Sequence, residues 1–335
     1  MNLNSLDNLP RLLLEADLRP VAGNRFQPTG FADLGAAEYK LPDGLSMLLV
    51  ESAQSVANRL EKTCLDGDGP LLDPALGGLP YVVVELEGIE KSTSSLVEAH
   101  RIASPYILLN KEFNATLVKE LAYNPKQPLD WKKIYATLFR YDANSLVHGV
   151  FLSLLEGGRV RAPRAITGFI EASNVVRVVS GGVKNSPVDP TGKTQVTDPA
   201  PGAKVSEGGV YSNVPYSRVE YVAKEIRAYF NLDLALIRGY RLGGDATCLL
   251  VALSLLKVRR FLNSSLRLRT ACDLELSGEV RAKAPADFVL PSEAELLAEV
   301  QRGIKTCASL FANPPVTVLK TKVKVNEKAA EGGTR

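Results

Sequence analysis

Histidine is nearly missing from this 335-residue chain. Only His100 and His148 occur, which excludes most multi-histidine metal centres and leaves little general base for a nucleophile. The four cysteines, Cys64, Cys248, Cys272 and Cys307, are scattered without a CxxC pair. Neither a zinc ribbon nor a thioredoxin-type site is therefore written, and single thiols suit a reducing compartment. No apolar run reaches the roughly 18 residues that a transmembrane helix needs. The N-terminal stretch MNLNSLDNLPRLLLEADLRP has no basic region ahead of its short apolar segment, so it does not read as a secretory signal. Charge of one sign is also scarce: the net charge is +3, which alone does not argue for nucleic acid. What is present is ordinary globular material. Apolar residues make up 45% and charged residues 23%, enough for a sizeable core. The expectation is a soluble cytoplasmic protein with no cofactor and no metal.

Strict apolar alternation predicts strands over Arg11–Leu18, Ile226–Leu236 and Leu266–Leu276, with a shorter Val-rich strand at Tyr81–Leu86. Apolar positions at helical spacing predict helices over Met47–Glu61 and Ala246–Leu256, the second capped by Asp245. Ser292 and Glu295 form a capping box for a further helix whose stripe is Leu297, Val300, Ile304, Ala308 and Phe311. These elements suggest two βαβ units, 11–86 and 226–276, and hence an α+β, ferredoxin-like sheet. The stretch Ser180–Ser212 holds many Gly and Pro residues and no periodicity, so it reads as a projecting insertion loop. The predicted organisation is one domain over 1–325 and a frayed tail at 326–335.

Candidate chemistry is sparse. Gly192-Lys193-Thr194 matches the end of a phosphate-binding P-loop, but Pro187 stands where that motif needs glycine. Asp66, Asp68 and Asp73 lack the bidentate Glu of a calcium loop. His148 lies in an apolar context and reads as a hydrogen-bonded structural residue, whereas His100 is free to touch a ligand. The turn Arg19–Gly35 offers Asn24, Arg25, Phe26 and Gln27, a mixture of cation, amide and aromatic that suits single-stranded RNA or an ordinary loop. The next helix carries Ser52, Ser55, Asn58 and Arg59 on or beside its polar face. The turn GYRLGG places Arg238 and Arg241 around glycines that either cradle phosphate or only permit a tight connection. Basic groups recur at Arg159, Arg161 and Arg164 and at Lys257, Arg259, Arg260, Arg267 and Arg269. Such groups track a phosphodiester backbone or form a solvated surface.

The segments RLLLEADLRPVAGNRFQPTGFADLGAAEY, LLVESAQSVANRLE, ITGFIEASNVVRVVSGGVKN and VPYSRVEYVAKEIRAYFNLDLALIRGY resemble the Csb-one, or Cas-seven-type, RAMP backbone subunits of type I-G (formerly I-U) CRISPR effectors. The resemblance covers about Arg11–Leu276. It implies a modified RNA-recognition (RRM-like) RAMP fold with inserted lobes and a projecting thumb, here 180–212 with Lys184, Asn185, Lys193 and Lys204. It further implies a homo-oligomeric filament along CRISPR guide RNA, which then pairs with target DNA. The other partners are a guide-processing subunit and a large subunit, with a helicase-nuclease recruited later. The RNP aromatics of an RNA-recognition sheet are missing. The resemblance therefore points to Arg19, Asn24–Gln27, Ser52, Ser55, Asn58, Arg59, Arg164, Lys184, Asn185, Arg238 and Arg241 as the RNA contacts. No catalytic residue is expected. The competing readings are a target-RNA endoribonuclease using Asp33 and a generic ferredoxin-like enzyme or interaction domain.

Overall fold

The computed structural model describes residues 4–31, 33–158, 160–188 and 213–324. The chain enters through β1 (Arg11–Pro20), turns, and passes through three short strands, β2 (Gly30–Phe31), β3 (Gly35–Ala36) and β4 (Glu38–Lys40). Then β5 (Ser46–Glu51) leads directly into α1 (Ala53–Lys62). A lobe follows, made of β6 (Tyr81–Glu87), β7 (Lys91–Ser94), α2 (Pro105–Leu108), α3 (Lys111–Glu120), α4 (Trp131–Tyr141) and α5 (Ala143–His148). Two-residue strands β8 (Val150–Phe151) and β9 (Arg161–Ala162) precede the long hairpin of β10 (Ile166–Lys184) and β11 (Val214–Asp233). The remainder is α6 (Leu234–Gly239), α7 (Gly244–Asn263), β12 (Arg267–Arg269), β13 (Cys272–Leu276), β14 (Arg281–Ala284), α8 (Glu293–Thr306) and β15 (Val316–Lys322).

Seven strands run in the order β12–β13–β1–β11–β10–β5–β4, and β14 also pairs with β1. Every pairing in this sheet is antiparallel. In the centre, β1 and β10 are parallel to each other with β11 between them, and β11 and β13 likewise flank β1. The chain crosses from β1 to β10 by way of α1 and from β11 to β13 by way of α7.

Strand alternation decides which face is covered. Leu12, Leu14, Ala16 and Leu18 are buried, and the register sets them opposite Leu232, Phe230, Ala228 and Ile226. Those residues in turn face Ile166, Gly168, Ile170 and Ala172 on β10. Gly168 is required by its neighbours: a Cβ there would come 2.7 Å from Phe230 Cδ1 and 3.0 Å from Val56 Cγ1 of α1. Phe230 also meets Phe261 of α7 edge-on at 6.1 Å, so both crossing helices pack on this one face. The opposite face carries Glu15, Asp17 and Arg227, joined by an Arg227–Asp17 pair at 2.7 Å, and the stacked rings of Phe169 and Tyr229. The buried apolar side chains form one connected cluster from Leu6 to Ala312.

Several sequence expectations are corrected. Met47 lies in a strand, and the helix begins at Ala53, because Ser52 caps it by accepting from Ser55 N at 3.3 Å. The 226–236 strand ends at Asp233, whose side chain caps α6 instead. The single strand at 266–276 is a hairpin, turned at Thr270 and Ala271, the latter at φ 58°. Tyr81–Glu87 does not join the large sheet: it pairs in parallel with β15, so the 11–86 βαβ unit does not form. Asp245 sits in the first turn of α7 with Gly243 at the cap. Residues 180–184 of the insertion are strand, while 189–212, with Lys193 and Lys204, and the tail 326–335 lie outside the described residues. The Ser292–Glu295 capping box is present.

Candidate nucleic-acid interface

The turn after β1 is fixed by backbone pairing. Phe26 N donates to Tyr221 O at 2.9 Å and Tyr221 N to Phe26 O at 3.0 Å, while Gln27 N reaches Ala271 O at 2.8 Å. The turn thus sits between the root of the long hairpin and the β12–β13 bend. Arg25 lies 3.4 Å from Glu220, and Arg19 lies 2.7 Å from Glu275. Ser180 Oγ donates to Glu220 at 2.7 Å; this bond first, then Arg25 and Arg218, hold the Glu220 carboxyl below its ordinary range. Asn24 and Arg25 border a cleft with Ala271 and Asp273. Phe26 is corrected: it is 1% exposed, a core residue with no face open to a base.

Gln27 borders a separate groove of about 680 Å³ with Glu38, Arg177, Tyr221 and Arg269. Tyr221 is buried and donates to Glu38, and these two effects push its phenol up to about 12. Lys184 and Asn185 stand at the far end of the hairpin. At a rise of about 3.3 Å per residue, Lys184 is about 35 Å beyond Ser173, where β10 leaves β5.

Around α1 the predicted side chains divide between internal ties and surface. Ser52 is the cap, and Ser55 Oγ donates to Glu51. Glu51 is 1% exposed and is also gripped by Arg269 and, at 3.5 Å, by Arg59. Arg59 donates further to the carbonyls of Arg267 and Leu268, and burial lowers its pKa. It is therefore chiefly a brace between α1 and the β12–β13 hairpin. Gln54, Asn58 and Lys62 are the exposed residues of α1, and Gln54 donates to Asn58 at 3.1 Å. Arg164 is fixed beside them. It donates to His148 O at 3.2 Å, Ala53 O at 3.4 Å and Gln54 Oε1 at 2.9 Å. Next to it opens a groove of about 550 Å³ bordered by His100, Phe151 and Arg161.

The basic run 257–269 is largely consumed inside the fold. Lys257 is fully buried and donates to Asn144 Oδ1 at 2.5 Å and to His148 Nε2 at 2.8 Å. Lysine is only a donor, so His148 carries its proton on Nδ1. Burial first, then Lys257, keeps His148 neutral, with a pKa well below its ordinary value. His148 is thus a hydrogen-bonded core residue, as its apolar context indicates. Arg259 holds the carbonyls of Leu290 and Pro291, and Arg260 holds Asp73 at 2.8 Å and Glu293 at 3.1 Å. Only Arg267 of this run extends well into solvent. Asp68 pairs with Lys62 and Asp73 caps a short helical turn, and among the described residues no group of acids, His and Cys is arranged to hold a metal.

Arg238 and Arg241 fall elsewhere. Arg238 donates to Leu9 O, at the start of β1, whereas Arg25 follows its end. The length of a ten-residue strand, about 33 Å, separates them. The predicted phosphate turn is interrupted by α6, and Arg241 is exposed with φ 56°. Asp33 is exposed between β2 and β3. The structure thus brings Arg19, Asn24, Arg25 and Gln27 together at the hairpin root, and Asn58 and Arg164 together at α1. Sequence reasoning missed Phe151, Arg177 and the groove role of Arg269. Phe151 lies in a two-residue strand, too short to show a period, and Arg177 lies on β10, which is not among the predicted strands.

These features define a mixed α+β protein built on a large antiparallel sheet, with cation-bordered grooves on either side of its hairpin root. Residues 12–177, from β1 into β10, match the model of the family described as CRISPR-associated protein GSU0053. Among solved structures, the chain is similar to one described as a CRISPR RNA-guided surveillance complex, pre-nicking, with 11% identity, a TM-score of 0.42, and coverage of 90% of this chain and 89% of that one. It is also similar to Csc2 of Thermofilum pendens, with 11% identity, a TM-score of 0.31, and coverage of 92% of this chain and 81% of that one. No curated protein matches the sequence. Among the described residues no helix is long and apolar enough to cross a membrane.

Proposed function

We propose that this chain is a non-catalytic, Cas-seven-type backbone subunit of a type I-G CRISPR surveillance complex, working in the cytoplasm. Several copies polymerise along the guide region of a CRISPR RNA and leave its bases free to pair with target DNA. The match of residues 12–177 to a CRISPR-associated family carries this reading. The strand order β13–β1–β11–β10, with α1 and α7 as its two crossings, supports a modified RNA-recognition core of the β-α-β-β-α-β kind. The hairpin supports a thumb reaching along the RNA toward a neighbouring copy.

The physics is that of a grip without readout. Base pairing selects the target, so the protein need hold only the sugar–phosphate backbone. The small net charge is compatible with this, because affinity accumulates over many copies on one strand. The filament would be completed by a guide-processing subunit and a large subunit.

The test is co-expression with a CRISPR RNA followed by purification. The expected product is a size-heterogeneous, nuclease-sensitive assembly with an absorbance ratio dominated by nucleic acid. A clean monomer that leaves the CRISPR RNA behind would refute the proposal.

A further inference from the structure

The groove beside α1 differs in composition from the two at the hairpin root, which carry Glu38 and Glu220. Its border contains His100, Arg101, His148, Arg161 and Arg164 and, among the described residues, no carboxylate. Arg101 is neutralised from behind by a two-pronged bond to Glu61, at 2.5 and 2.9 Å. Among the described residues no carboxylate forms an ion pair with Arg161 or Arg164: their partners are a ring, carbonyls and an amide. Arg164 is half-buried, and burial first, then the repulsion of Arg101, lowers its pKa against the smaller opposing pull of Glu61. Its three hydrogen bonds nevertheless fix the guanidinium in place, so little orientation remains to be lost on binding.

The other wall is aromatic. Phe151 and Arg161 are register partners of the β8–β9 pair, and the Arg161 guanidinium lies 4.6 Å from the Phe151 ring centroid. Phe151 is 41% exposed. Gly149 makes this closeness possible: at φ 78°, a Cβ there would strike Arg164 N at 2.9 Å and Ala162 O at 3.1 Å. Gln54, in the first turn of α1, borders the groove as well and accepts from Arg164.

We infer that this groove binds one nucleotide of single-stranded RNA, its phosphate between Arg161 and Arg164 and its base stacked on the Phe151–Arg161 pair. An acidic peptide would satisfy the cations but leave the stacking surface unused, whereas a nucleotide uses both. His100, at the groove edge, supplies a further hydrogen-bonding group to the ribose or phosphate. The inference deepens the guide-RNA reading and rests on it.

The test uses the full chain, fluorescein-labelled oligouridylate and labelled polyglutamate. Arg161→Glu should weaken oligouridylate binding by about tenfold or more and reduce the slope of log affinity against log salt by about one. Phe151→Ala should weaken it about fivefold or more with the salt slope unchanged, because stacking releases no counterions. Arg161→Lys should keep the salt slope, and Lys305→Glu, in the last turn of α8, should bind as the unaltered protein does. Circular dichroism melts confirm folding. If the unaltered protein binds oligouridylate and Arg161→Glu and Phe151→Ala bind it equally well, the groove assignment alone is overturned. The same holds if those variants lose only polyglutamate. If the unaltered protein binds no RNA, the groove and the guide-RNA reading fall together.

Discussion

Phe26 separates two physical accounts of the same residue. Its place in an Arg- and amide-containing turn suits a side chain that stacks on bases, but the structure buries it beneath the root of the long hairpin, 1% exposed. Replacing it with alanine removes most of a phenyl ring from a packed site. Its backbone bridge to Tyr221, made by N–H and C=O groups, survives the change. The lost transfer free energy and the residual cavity together should lower the unfolding free energy by about 3–5 kcal/mol. Phe26→Leu, closer in volume, should cost about 1 kcal/mol. Urea unfolding followed by circular dichroism measures both, and the fluorescence of Trp131, the one tryptophan, reports whether the distant lobe unfolds in the same transition. Were Phe26 a stacking residue, alanine would leave the urea curve in place and weaken RNA binding by about 1–3 kcal/mol. That pair of results would refute the burial argument.

Gly168→Ala should also destabilise, by about 1–3 kcal/mol, because the new methyl meets Phe230 and Val56 at 2.7 and 3.0 Å. Combining it with Phe230→Leu should recover part of the loss if the clash is the cause, and simple additivity in urea unfolding would show that it is not. Asp142 is fully buried at the start of α5, accepting from Ser145 Oγ at 2.7 Å and Asn144 N at 3.1 Å, and burial pushes its carboxyl up to about 6. A carboxyl raised above its unfolded value of 3.8 contributes stability that is full below that pH and is lost as pH rises through about 6. Asp142→Asn removes this component, so its stability relative to the unaltered protein should climb by about 2 kcal/mol between pH 4 and pH 7. His148, held neutral, contributes the opposite trend, and that trend cancels in the comparison. A pH-independent difference in urea midpoints would show that ionising Asp142 carries no penalty.

Alternation in the chain determined two of the central strands, β1 and β11, whereas β10 between β11 and β5 was not predicted. Leu12 through Leu18 and Ile226 through Leu232 announce a half-buried sheet because side-chain direction reverses at each residue. The capping box at Ser292 was legible for a similar reason, since its partners lie within one turn. The resemblance of ordered blocks also pointed to a CRISPR-associated protein, which the match over residues 12–177 supports. What tertiary structure alone decided is where each charge goes. In the sequence, Lys257, Arg259, Arg260 and Arg269 form a basic run suited to a phosphate backbone. In the fold, Lys257 ties α7 to Asn144 and His148 of α5, Arg259 is held by the carbonyls before α8, and Arg260 and Arg269 are neutralised by Asp73 and Glu51 from far along the chain. Arg161 and Phe151 show the converse: ten positions apart and unremarkable, they become register partners when β8 meets β9. A sequence records which groups are charged or aromatic, but whether a charge is compensated depends on non-local contacts, which only the folded chain supplies.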